Sequence, residues 1–247
     1  MKIDTIICGD CIVETEKLVD KSINLTILDP PYCSGARRDA EKSVRGKMLR
    51  GDKFEWFSHD NMTTNGFQWF LRNLFIALRP KLVEGAHFYV FCDWRQYPIL
   101  SAILESAGYR VNDLIVWDKK HFGMGSHYRN QHELIVFASN GKPRNLNSKD
   151  KSNIIRYSTV TIKKRIHPTE KPTSVLRYLI RSSSNKGDLV YDPMCGSGST
   201  LLSAHQLRRH YLGVDLNPDY VKMARGRIQS TPTPLESLVS SIDQEGI

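Results

Sequence analysis

The most constraining feature of this chain is an alternation of two hydrophobic rhythms. Short apolar runs take turns with longer stretches in which apolar residues recur at helical spacing. The short runs, at residues 3–8, 24–28, 87–92, 111–117, 133–138, 189–191 and 211–214, read as strands. Residues 66–82 place Phe67, Phe70, Leu71, Leu74, Phe75 and Leu78 on one helical face that ends near Pro80. Residues 97–107 read as a helix closed by Gly108, residues 173–183 as one opened by Pro172, and residues 200–208 and 218–228 as two more. Strands and helices in alternation bury a sheet on both faces when its strands are mostly parallel. The fold class predicted is therefore α/β, a doubly wound, mostly parallel sheet.

A length of 247 residues suits one such domain. We read residues 1–230 as that domain and residues 231–247 as a polar, flexible tail. Two segments, 33–60 and 119–130, are poorly periodic and rich in Gly, Lys and Arg, and loops that long usually carry function; insertions near 33–60 and 119–165 are the candidate recognition elements. No apolar run reaches the ~20 residues that a membrane-spanning helix needs. Asp4 interrupts the N-terminus too early for a secretory signal. The expectation is a cytoplasmic protein without membrane contact. The five cysteines, Cys8, Cys11, Cys33, Cys92 and Cys195, are odd in number and argue against a disulfide framework. Cys8 and Cys11 have CxxC spacing, but no second pair completes a zinc site, so they read as packing residues and no metal is expected.

The net charge of +9 points toward a polyanion, and its placement is telling. Between Lys119 and Lys171 stand twelve Lys and Arg against three acids, so the whole excess falls in one stretch. That stretch is either a solvated basic loop or a nucleic-acid contact.

Two turns carry chemistry. The first, Asp192-Pro-Met-Cys195-Gly196-Ser197-Gly198-Ser-Thr200, joins a strand to a helix. Its glycines allow a tight turn and a close backbone approach, and the helix start offers free N–H groups. Asp215 ends the next strand, about twenty residues on, where an acid can accept both hydroxyls of a ribose. The third glycine of a dinucleotide fingerprint is missing, so a nucleoside without a diphosphate fits better. An ordinary βα turn with a solvated Asp is the plain alternative. The second turn, Asp29-Pro30-Pro31-Tyr32, ends the strand at residues 24–28. Its prolines fix the backbone and remove N–H donors. What remains is two acceptors, the Asp29 carboxylate and the Pro30 carbonyl, beside the flat face of Tyr32. That set suits a planar group bearing an exocyclic amine; the plain alternative is a rigid turn capped by its Asp.

Together, Asp29–Tyr32 and Asp192–Thr200 resemble the paired motifs of the S-adenosylmethionine-dependent DNA amino-methyltransferases, which modify adenine N6 or cytosine N4. The resemblance covers nearly the whole chain. His167-Pro-Thr169-Glu-Lys171-Pro172 is similar to the family's segment before the cofactor helix. Ile115–Lys119, Tyr128-Arg129 and His132–Phe137 are similar to its later catalytic segments. The catalytic half precedes the cofactor half, as in the permuted β-type order, so the last helix should lie beside the first strand.

The resemblance implies a Rossmann-like methyltransferase fold and S-adenosyl-L-methionine as cofactor. Carried over, Asp10 meets the adenine of the cofactor and Asp215 its ribose. Asp192, Cys195, Gly196, Ser197 and Gly198 line the methionine portion, and His167, Thr169 and Lys171 hold the amino-acid end. Asp29, Pro30, Pro31 and Tyr32 are the catalytic set. Arg37, Arg38, Arg45 and Arg50 in the first loop, with Lys119, Lys120 and Arg129 in the second, are expected to hold DNA phosphates. The expected partner is double-stranded DNA with the target base flipped out. Asp before Pro-Pro-Tyr favours adenine N6 within the family. The implied role is DNA methylation in restriction-modification, in a bacterium or the host cell of a phage, with a homodimer admissible and any partner restriction enzyme unidentified. The alternatives are a cytosine-N4 DNA methyltransferase, an RNA amino-methyltransferase, and a noncatalytic nucleic-acid binder on the same scaffold.

Overall fold

The computed structural model describes residues 2–31, 64–123, 127–159 and 171–231. The chain passes through β1 (Thr5–Cys8), α1 (Cys11–Glu16), β2 (Ile23–Leu28), α2 (Thr64–Leu78), β3 (Leu82–Cys92), α3 (Tyr97–Ser106), β4 (Arg110–Asp118) and β5 (His132–Ser139). It continues through β6 (Ile154–Arg156), α4 (Thr173–Ser183), β7 (Leu189–Asp192), α5 (Ser199–Gln206), β8 (His210–Asp215) and α6 (Pro218–Gln229). Among the described residues the strands form one sheet in the order β1-β8-β7-β2-β3-β5-β4-β6. Pairing is parallel from β1 to β3. β5 then enters antiparallel between β3 and β4, and β6 joins β4 in parallel.

From β2 the chain moves to β3 on one side, whereas from β7 it moves to β8 on the other. Strand order therefore reverses between β7 and β2, and open α/β sheets bind ligands beyond the carboxyl ends of such strands. Both turns read from the sequence sit there.

Period-two alternation splits the core between the two faces. Phe88, Val90 and Cys92 of β3 pack with Phe67, Leu71, Leu74, Phe75 and Leu78 of α2 and with Leu100 and Leu104 of α3. Tyr89 and Phe91 face the other way, toward Trp117 and Val175, Leu176, Leu179 and Ile180 of α4. A third cluster joins Ile6 of β1 to Leu201 of α5 and to Val221, Ala224 and Ile228 of α6. The α2 stripe is core, and each of its fully buried Leu and Phe side chains contributes roughly 1.5–3 kcal/mol. The last helix does lie beside the first strand: Arg225 of α6 donates to the Ile6 carbonyl, and β1 pairs with β8.

Four details depart from the sequence reading. α2 stops at Leu78, and Pro80 lies in the first turn of a 3-10 segment, Arg79–Lys81, where its fixed φ fits. β3 begins at Leu82 rather than residue 87; its register against β2 shifts between Ile23 and Leu25, and Gly85 adopts a φ of 71° within that stretch. α1 has six residues, too few for a periodic signal, and is started by Asp10, whose carboxylate accepts from the Ile12 and Val13 N–H groups. β6 has three residues and owes its existence to pairing with β4. Cys11, Cys92 and Cys195 are buried and Cys8 is exposed. Burial pushes the Cys11 and Cys92 thiols up to about 12, so they remain neutral packing groups. Among the described residues, no group of His, Cys, Asp or Glu is arranged to hold a metal. No helix there is long and apolar enough to cross a membrane.

Candidate active site

The glycine turn after β7 is braced largely by backbone groups. The Cys195 N–H donates to the Val214 carbonyl at 2.9 Å, and the Gly198 N–H to the Cys195 carbonyl at 2.8 Å. The Asp215 carboxylate accepts from the Gly196 N–H at 2.8 Å and from the Asn217 N–H at 2.9 Å. Gly196 and Gly198 both have positive φ, 50° and 80°. A Cβ on Gly198 would lie 2.7 Å from the Ala224 Cβ, so this glycine also permits close packing of α6. A Cβ on Gly196 would meet no atom within 4 Å, so that glycine borders open space. Gly198 is the N-cap of α5 and supplies no capping side chain.

Three acids converge along this part of the edge. Asp10 and Asp215 lie on adjacent loops, since Cys8 and Asp215 are register partners and the Gly9 N–H donates to the Asp215 carbonyl. Asp192, 4% exposed, accepts from the Met194 N–H at 3.1 Å and bonds the Thr200 hydroxyl. Burial raises its carboxyl to about 7. A buried acid so reluctant to ionise is well matched to a cationic ligand, and carboxylates with spare lone pairs match hydroxyls. Cys195 is buried and its thiol is pushed well up, first by burial and then by Asp192, which unfits it as a nucleophile. Ser197 turns toward α6: Arg227 donates to its carbonyl at 2.7 Å and to its hydroxyl at 2.9 Å. Arg227 went unnoticed in the sequence because its role depends on helix packing.

Across the strand reversal, Asp29 follows β2. Pro30 is buried and, with Phe67, Leu71, Phe91 and Leu100, lines a narrow cavity. The Asp29 carboxylate meets Lys171: Nζ is 2.9 Å from Oδ1. The same ammonium is 3.1 Å from Glu133 Oε2, and Lys119 is 3.5 Å from Glu133 Oε1. Burial opposes the charge on Glu133, yet Lys171 and Lys119 hold its carboxyl below the usual range. Burial likewise opposes the charge on Lys171, yet Asp29 and Glu133 raise it above the usual lysine range. The sequence places Glu133 only within a strand segment, and the resemblance links Lys171 to the cofactor's amino-acid end. In the fold, Lys171 Nζ lies against the Asp29 carboxylate.

The basic stretch divides in the same way. Lys119 turns inward to Glu133, and its side chain is 17% exposed. Arg144 donates to the Asn24 and Ser183 carbonyls and pairs with Asp188. Lys120 and Arg129 are exposed, with the Arg129 guanidinium 4.1 Å from the centre of the Phe122 ring. Tyr32, Arg37, Arg38, Arg45, Arg50, His167 and Thr169 lie outside the described residues.

A model of the DNA methylase family matches residues 23–226. Type II methyltransferase M.HpaI of Haemophilus parainfluenzae is 27% identical over 257 residues, covering 94% of this chain and 76% of its own length. The crystal structure of the M1.HpyAVI–SAM complex superposes with a TM-score of 0.66 at 22% identity, over 91% of this chain and 98% of that one. The PvuII DNA methyltransferase, described as cytosine-N4-specific, reaches a TM-score of 0.70 at 15% identity, over 95% and 89%. The family match spans most of the chain and takes in both turns at the strand reversal, so the chain belongs to the DNA methylase family of S-adenosylmethionine-dependent amino-methyltransferases.

Proposed function

We propose that this chain is a site-specific DNA methyltransferase that transfers a methyl group from S-adenosylmethionine to N6 of a flipped-out adenine in double-stranded DNA. The observation that carries the reading is the Asp29-Pro30 turn at the carboxyl end of β2, facing the glycine turn of β7 across the strand reversal. That the first position of the turn is Asp rather than Ser supports adenine over cytosine.

The residues fit the cofactor in charge and shape. Asp10 and Asp215, on adjacent loops, would take its adenosine, and the buried Asp192 would face its cationic methionine end. Gly196 would let it approach the backbone. When bound, the cofactor supplies a methyl group activated by sulfonium. The exocyclic amine is a poor nucleophile because its lone pair is conjugated into the ring. The Asp29 carboxylate and the Pro30 carbonyl would accept its two N–H groups, draw the nitrogen toward pyramidal geometry and stabilise the positive charge that develops there. Methylation of the nitrogen would leave the cofactor as its neutral thioether, and the amine proton released would pass to the Asp29 carboxylate and on to solvent. Tyr32 would stack on the flipped base, worth on the order of 1–3 kcal/mol. Lys120 and Arg129 would contact phosphates, together with Arg37, Arg38, Arg45 and Arg50. The chain would serve as the modification partner of a restriction enzyme.

The test is incubation with unmethylated genomic DNA and methyl-labelled cofactor, then nucleoside digestion and mass analysis. N6-methyladenine, lost in Asp29→Ala, is expected. N4-methylcytosine would overturn the base assignment alone, whereas labelling of total RNA but not duplex DNA would overturn the substrate.

A further inference from the structure

Lys171 stands immediately before α4, where Pro172 is extended at ψ 130° and carries the chain onto the helix. Its side chain is 11% exposed, and its ammonium lies 5.2 Å from the centre of the Phe91 ring. Around it run alternating charges: Asp29, Lys171, Glu133, Lys119. A partly buried network of this kind, its side chains between 11% and 25% exposed, is seldom kept for stability alone, because desolvation offsets much of the attraction and apolar packing would serve as well. One end of it is the carboxylate assigned above as acceptor for the target amine, and its inner acid, Glu133, comes from the antiparallel strand β5.

We propose that Lys171 is a positioning residue for methyl transfer: steadied by Glu133, its ammonium holds one oxygen of Asp29, so the acceptor for the target amine is preset in orientation and charge. The proposal rests on the reading of Asp29 given above. It also reassigns Lys171 from the cofactor to the catalytic turn. The groups around Asp29 oppose or share the effect in a defined way. Lys171 favours its charge, and Glu133 competes for the same ammonium. Asp192 of β7 feels the Asp29 charge as a repulsion, as does the Cys92 thiol of β3, which also lies near Asp93. Asp29 without its cation would therefore face acids on both sides and protonate more readily.

The experiment is single-turnover methylation of unmethylated duplex DNA between pH 6 and 9 by the full chain, with cofactor affinity measured beside it. Lys171→Met is expected to slow transfer about 100-fold at pH 7 while the cofactor Kd stays within about threefold. The loss should shrink as pH rises, because a higher pH restores the Asp29 carboxylate. Lys171→Arg keeps the charge and should recover most of the rate and the original pH profile. Glu133→Gln keeps the side-chain volume and should slow transfer about threefold to tenfold; where the Met variant fails to fold, an unchanged rate in this variant overturns the proposal. A cofactor Kd weakened more than about tenfold, with a normal rate at saturation, returns Lys171 to the cofactor. A loss equal at every pH and unrelieved by Arg leaves only packing. Asp29→Ala in the same assay separates the two readings: if it transfers normally, the role of Asp29 itself falls, whatever Lys171 does.

Discussion

The two turns that face each other across the strand reversal are held by opposite means. The β7 turn is braced through its backbone, with Gly196, Cys195 and Gly198 N–H groups donating to Asp215, Val214 and Cys195. The β2 turn is braced through its side chain, with Asp29 held by a lysine that enters from the start of α4 and is shared with β5. A turn that must wrap a ligand needs conformations that only glycine adopts readily, so its errors fall on folding and affinity. A turn that must present charge needs partners of opposite sign, so its errors fall on rate.

The largest expected effect isolates the second kind. Asp29→Ala should lower single-turnover transfer about 10³-fold and leave the calorimetric cofactor Kd within about threefold. Loss of both in parallel would dissolve the contrast. Gly198→Ala attacks the first kind, by forcing a Cβ onto a φ of 80° and against Ala224. It should cost about 2–4 kcal/mol in denaturant unfolding.

A change of pH sharpens the comparison without mutation. Burial places the Asp192 carboxyl at about 7, above its unfolded value. Between those two values the folded state holds the extra proton, so folding stability contributed by this group falls as pH rises toward about 7 and changes no further above it. A bound cation favours the ionised form. Between pH 6 and 8, S-adenosylmethionine should therefore bind about tenfold tighter, with S-adenosylhomocysteine, which lacks the sulfonium charge, responding less. Equal responses of the two ligands would sink the role given to Asp192. The smallest expected effect belongs to Gly196→Ala, whose Cβ at a φ of 50° meets nothing within 4 Å. It should cost about 1 kcal/mol, the left-handed penalty alone. A loss as large as that of Gly198→Ala would mean that conformation, not contact with α6, governs this turn.

Much of the fold was legible because its signals are local. The stripe on α2, the strands at 24–28 and 211–214 and the glycine turn each rest on spacing within a few residues. What could not be read was short or distant. α1 and β6 are too brief to show a period and form because a capping Asp and a neighbouring strand supply what the segments lack. The basic stretch carries the whole charge excess of the sequence, yet folding turns Lys119 and Arg144 onto acids and carbonyls of the protein itself. Charge summed along a sequence takes no account of partners that the fold brings near.

The sequence by itself determined the two turns, the order in which they come and the α/β class, because turn chemistry and hydrophobic period act over a few residues. Only the tertiary structure decided that those turns face each other at the reversal of strand order, that Arg227 clamps Ser197, and that Lys171 bridges Asp29 and Glu133. Those relations join residues far apart in the chain, and they exist only once the sheet has set its strands side by side.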